Sequence, residues 1–139
     1  MDTRQEYERW KSLAASDADL IAELGSMDAK TIEDAFSRDL SFGTGGLRGI
    51  IGAGTNRMNI HTVAKASQGL ADYLNKNFTN PSVVIGYDSR IKSDLFAKTA
   101  AGVFAANGIA VRIWSTLLPV PTVSYAVRKL GASAGVMIT

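Results

Sequence analysis

Between Ser41 and Arg57 the chain sets glycines at positions 43, 45, 46, 49, 52 and 54 among two arginines, Arg48 and Arg57, and three hydroxyl side chains, Ser41, Thr44 and Thr55. Glycine tolerates positive φ and lets the backbone approach a ligand closely, so its N–H groups become available as donors. Arginine matches a phosphate with two parallel hydrogen bonds and stays charged. The combination suits a phosphate-handling loop. Composition alone fits a second reading equally: a glycine-rich hairpin whose arginines face solvent. Two nucleotide motifs match poorly. A dinucleotide fingerprint counted from Gly43 or Gly52 would need glycine or alanine where Arg48 and Arg57 stand. A triphosphate P-loop counted from Gly49 to Gly54 would need lysine where Thr55 stands.

A second group follows an apolar run, in Gly86-Tyr-Asp-Ser-Arg90. Asp88 and Arg90, two residues apart, could pair and orient each other, with the arginine reaching toward an anion. The alternative is a plain strand-to-helix turn in which Ser89 or Ser93 caps the next helix. The single histidine, His61, falls at an expected helix start and suits a surface or capping role. Nothing in the chain resembles a carboxylate cluster able to bind magnesium by itself.

These residues need elements to position them. Apolar spacing predicts a helix over 3–24, with a break at Ser16-Asp17 and a stop at Gly25, and a second over 28–38 capped by Ser26 or Asp28. This acidic, amphipathic front segment reads as packing or interface material. Helices are further expected over 60–77, 95–107 and 121–129, and buried strands over 82–88, 109–114 and 134–138. Strands alternating with helices predict an α/β domain: three layers, α/β/α, around a mostly parallel, mixed sheet. The N-terminal helices, 1–40, then form an extension to a domain over 41–139.

At 139 residues, 46% apolar and 20% charged, the composition is that of a globular domain. A net charge of +2 with scattered basic residues argues against nucleic acid as a partner. The absence of cysteine excludes disulfides, thiolate catalysis and cysteine-bound metal. The polar, acid-containing N-terminus does not look like a secretory or mitochondrial address, and no apolar run is long enough to cross a membrane. A cytoplasmic location is expected. Because Thr139 closes an expected central strand at its ligand-prone edge, the sequence is expected to be a fragment of a longer protein.

Taken together, the motifs resemble the first domain of the α-D-phosphohexomutases, and most closely the bacterial phosphoglucomutase branch with its phosphopentomutase relatives. The carriers are Phe42-Gly-Thr-Gly-Gly-Leu-Arg-Gly49 with Gly52-Ala-Gly-Thr-Asn-Arg-Met-Asn59, then Gly86-Tyr-Asp-Ser-Arg90, Leu118-Pro-Val-Pro-Thr122 and Gly135-Val-Met-Ile-Thr139. The resemblance implies a four-domain isomerase that moves phosphate between C1 and C6 of a hexose, or C1 and C5 of a pentose. A phosphoserine and a bisphosphate intermediate such as glucose 1,6-bisphosphate carry the transfer, with Mg2+ as cofactor. It also implies that the partners are a phosphosugar and the remaining domains of the same chain.

By the same resemblance, Arg48 reaches the transferring phosphate and Thr44 stands beside it. Position 45, often serine in the family, is glycine here and keeps only its backbone N–H. Asp88 and Arg90 support the serine loop. Thr139 precedes the catalytic serine by two positions, so no catalytic or metal-binding residue is expected within the chain, which should be inactive by itself. Two readings from other classes stay open: a stand-alone anion- or nucleotide-binding module, and a structural interaction domain.

Overall fold

The computed structural model describes residues 2–14 and 16–139. The chain forms two compact units, Met1–Thr62 and Val63–Thr139.

The first unit opens with three helices: α1 (Thr3–Leu13), α2 (Ala18–Ser26) and α3 (Ala29–Phe36). Each begins at an aspartate whose carboxylate accepts backbone N–H groups left without helical partners. Asp2 takes those of Arg4 and Gln5, Asp17 that of Leu20, and Asp28 that of Thr31. The expected break in the first helical segment is therefore real and falls at the Asp17 cap. Helix α2 runs one residue past the expected stop at Gly25. Phe36 is fully buried, with Tyr7 and Trp10 edge-on to it at 5.7 and 5.6 Å between ring centres. Leu20, Leu24 and Ala35 complete this core, and Ala53 of the glycine-rich stretch enters it. The front segment thus is packing material, with the glycine-rich stretch as one of the things it packs. That stretch begins as a small antiparallel hairpin, β1 (Phe42–Gly43) and β2 (Gly46–Leu47).

Helix α4 (Ile60–Asn77) spans the division between the units. The second unit continues with β3 (Ser82–Tyr87), α5 (Ser93–Ala106), β4 (Ala110–Ile113), α6 (Val120–Leu130) and β5 (Ala134–Ile138). Its three strands are parallel in the order β4-β3-β5. The chain leaves β3 for the neighbour on one side and then returns across β3 to the other. Two right-handed crossovers in opposite directions put α5 and α6 on opposite faces. Side-chain alternation agrees: Val84 packs with Val123 and Ala126 of α6, while Val83 and Ile85, equally buried, point to the other face. The fold is α/β, with a parallel sheet between helices, N-terminal helices before it, and the antiparallel pair as a separate small sheet.

Gly86 and Gly135 sit on the α6 face because that helix lies close. A Cβ at 135 would come within 2.7 Å of the Val127 side chain, and one at 86 within 2.7 Å of Val123.

Candidate functional site

In the first unit the hairpin turns through Thr44 and Gly45 and leaves the turn at Gly46, whose φ of +102° favours glycine. Thr44, Gly45 and Arg48 are all exposed. Arg48 folds back so that its guanidinium lies over Gly45: a Cβ there would stand 2.6 Å from Nη2. The absent side chain at 45 is the space the cation occupies. Thr44, Gly45 and the Arg48 guanidinium thus gather at one hairpin. A hydroxyl, backbone N–H groups and a forked cation are the donors a phosphate needs.

Arg57 has a different part. It is buried, and its Nη2 binds Asp34 of α3 while Nη1 donates to the Asn56 carbonyl. That hydrogen bond, reinforced by the arginine's charge, holds the Asp34 carboxyl below the usual range. Only Arg48, of the two arginines in the stretch, is presented outward.

The second group lies at the carboxyl ends of β3 and β5, where open α/β sheets form ligand sites. The Asp88 N–H donates to the Ile138 carbonyl at 3.1 Å, which joins the two strand ends. The Asp88 carboxylate accepts the Arg90 N–H at 3.0 Å and the Ser93 hydroxyl at 3.1 Å, and faces Arg90 Nε at 3.5 Å. Burial pushes this carboxyl up, but the Thr139 hydroxyl, the Arg90 N–H, the Ser93 hydroxyl and the Arg90 charge together hold it below its ordinary value. A carboxylate so supplied with donors is an orienting group rather than a base. Asp88, Arg90 and Thr139 are brought together as a set. Neither Ser89 nor Ser93 caps α5. Its first turn follows Lys92, in the left-handed region at φ 63°, and Ser93 turns its hydroxyl to Asp88 instead.

Two features escaped the sequence reading. The Arg57–Asp34 pair joins residues 23 apart, beyond any local pattern. Asn59, buried at 3% exposure, uses both ends of its amide. It carried a signal, since Asn59-Ile-His-Thr62 ahead of an apolar helix has the form of a capping box.

Among the described residues no group of three or more histidines, aspartates and glutamates gathers to hold a metal ion. No helix among them is long and apolar enough to cross a membrane.

A parallel sheet between helices with a polar cluster at its carboxyl edge, preceded in the chain by an arginine-bearing glycine hairpin, defines the class as an α/β domain. Residues 39–139 match the family model described as phosphoglucomutase/phosphomannomutase, alpha/beta/alpha domain I. The chain belongs to that family. It is 45% identical over 106 residues to a phosphoglucomutase of Staphylococcus aureus, covering 76% of this chain and 19% of the relative. It is 44% identical over 115 residues to a probable phosphoribomutase of Schizosaccharomyces pombe, covering 81% and 20%. A phosphoglucomutase of Staphylococcus haemolyticus is 39% identical over 124 residues, covering 88% and 23%. The chain thus spans about a fifth of the length of the curated relatives it matches. No solved structure gives a significant match.

Proposed function

We propose that this chain supplies the first domain of a sugar-phosphate mutase, with residues 1–40 as a helical extension and 41–139 as the domain proper. The longer enzyme interconverts sugar 1-phosphates with 6-phosphates, or with 5-phosphates for a pentose. It works through a phosphoserine and a bisphosphate intermediate, glucose 1,6-bisphosphate in the hexose case. The observation that carries this reading is Arg48, an exposed guanidinium held over the bare backbone of Gly45. Its role is to grip two oxygens of the transferring phosphoryl group and to offset charge there as the bond to the serine breaks. Thr44 and the N–H of Gly45 supplement it.

Asp88 and Arg90 work at the other group by holding the end of β5, and so Thr139, in place for the serine loop. The hydrogen bond from the Asp88 N–H to the Ile138 carbonyl supports that assignment. The magnesium ion that the family implies finds no ligand set among the described residues. The proposed location is the cytoplasm. The proposed partners are the phosphosugar and the remaining domains of the longer chain.

The test is conversion of glucose 1-phosphate to glucose 6-phosphate by the longer protein. Arg48→Ala should lower turnover by about 10²–10³, the cost of removing one transition-state donor, with folding retained. Near-normal turnover in that variant sinks the assignment. The 139-residue chain alone should be inactive.

A further inference from the structure

The glycine-rich stretch divides into two halves of opposite character. Its first half is the exposed hairpin. Its second half, residues 52–59, is mostly buried, and besides bonds to α3 and within itself it makes hydrogen bonds to both chain segments that carry the hairpin. On the entry side, the Thr55 hydroxyl donates to the Arg38 carbonyl at 2.7 Å and the Leu40 N–H donates to the Thr55 carbonyl at 3.0 Å. On the exit side, the Met58 N–H donates to the Ile50 carbonyl at 2.8 Å and the Gly52 N–H to the Met58 carbonyl at 3.1 Å. Entry and exit also touch each other, since a Cβ on Gly49 would meet the Leu40 side chain at 2.8 Å. The hairpin therefore stands on a mount that grips both of its ends.

Asn59 closes that mount. Its Nδ2 donates to the carbonyls of Gly52 at 2.8 Å and Gly54 at 3.0 Å, drawing the loop into a ring. Its Oδ1 accepts the N–H groups of His61 and Thr62, both at 3.0 Å, which caps α4. Thr62 answers with its own hydroxyl, which accepts the Asn59 N–H and donates to the Arg57 carbonyl. One buried amide thereby fixes the loop and the first turn of α4 to each other. We propose that Asn59 is a positioning residue for Arg48, acting through the 52–58 ring to hold the hairpin at the place where the cation meets phosphate. The proposal rests on the reading of Arg48 given above.

Serine at 59 separates the two tasks. It retains a helix-capping oxygen but cannot also reach the Gly52 and Gly54 carbonyls. In the longer enzyme, Asn59→Ser should lower kcat about tenfold to a hundredfold, the scale of an ångström-sized misplacement. On an Arg48→Ala background the same change should cost less than about twofold, because residues acting as a unit are non-additive. Losses that multiply in the double variant, or a fully active Asn59→Ser enzyme, would overturn the proposal. If Asn59→Ser does not fold, Thr55→Val removes the hydroxyl grip on Arg38 and enters the same cycle with the same criteria. Amide exchange on the 139-residue chain is the independent arm. The Met58 and Gly52 amides should exchange at least about tenfold faster in Asn59→Ser, with α4 unchanged. Unchanged exchange at those two amides refutes the clasp. A wild-type enzyme without mutase activity refutes the proposed function alone and leaves the exchange result to decide the clasp.

Discussion

Gly54 offers the sharpest test of how the mount is built. Its φ is +134°, and a Cβ added there would stand 2.5 Å from the Ala35 carbonyl oxygen and 2.8 Å from the Ala35 Cβ. The obstacle is the backbone of α3, which cannot swing aside as a flexible side chain could. Alanine at 54 therefore combines a left-handed conformation, about 1–2 kcal/mol, with overpacking of about 1–3 kcal/mol. Any shift of the loop would also disturb the Asn59 bond to the Gly54 carbonyl. The sum is about 2–5 kcal/mol.

Gly46 provides the control, because its φ is +102° but nothing lies within 4 Å of its would-be Cβ. Gly46→Ala should thus show the conformational part alone, about 1–2 kcal/mol. The two tryptophans fall one in each unit, Trp10 and Trp114. On a Trp114→Phe background, urea unfolding followed by Trp10 fluorescence isolates the first unit, whose core contains that ring. Gly54→Ala should shift the midpoint further than Gly46→Ala, by the equivalent of the overpacking cost of about 1–3 kcal/mol. Equal shifts would show that the close approach to Ala35 does not constrain the loop, and the mount would have to be redrawn.

Gly45→Ser places a side chain where the Arg48 guanidinium lies, with Nη2 2.6 Å from the new Cβ. The cation can move, so stability should change by less than about 0.5 kcal/mol while KM for the phosphosugar changes several-fold; an unchanged KM with an unmoved Arg48 contradicts the geometry. Gly135→Ala should destabilise the second unit by about 1–3 kcal/mol through overpacking against Val127 and Val123, read from Trp114 fluorescence on a Trp10→Phe background. Asp88 has a folded-state pKa below its unfolded value of about 3.9. Its stabilising contribution is therefore complete above that value and is lost as pH falls through the folded one. Acid titration of Asp88→Asn should accordingly show a shallower loss of stability below about pH 4 than the wild type, and a parallel acid limb would mean that the donors around Asp88 do not favour its charge.

The element order of the α/β unit was legible because each piece announces itself locally. Buried strands such as 82–87 are short apolar runs, and the aspartates at 2, 17 and 28 stand where helix starts need acceptors. The two-residue strands of the hairpin were not legible as such, being too short to show alternation. Arg48 was legible as a residue type in the glycine-rich stretch, and Asp88 and Arg90 as residue types at an expected edge. What separated Arg48 from Arg57 was not. Both follow glycines in one polar stretch, and only the partner Asp34, on a helix 23 positions earlier, tells them apart. Ser93 was singled out as a cap and proved to be a donor to Asp88, because the turn at Lys92 carries the chain into the helix without a side-chain cap.

The glycines of this stretch serve several different causes, which bears on what the motif means. Gly46 is there for its φ. Gly45 leaves room for a guanidinium, Gly49 for Leu40, and Gly52 and Gly54 for α2 and α3 through Glu23 and Ala35. Four of these five requirements concern what the backbone must approach within the protein, and only the one at 45 touches the side chain that would meet a ligand. A glycine-rich, arginine-bearing sequence is therefore weak support for a phosphate loop when taken as composition. Its arginines differ once they are sorted by their partners. Here an ion pair with Asp34 takes one arginine and the hairpin displays the other. The residues that Gly52, Arg57 and Gly54 meet, Glu23, Asp34 and Ala35, all precede residue 39, where the family match begins. The helical segment ahead of the matched domain is thus part of what fixes the glycine-rich stretch in place.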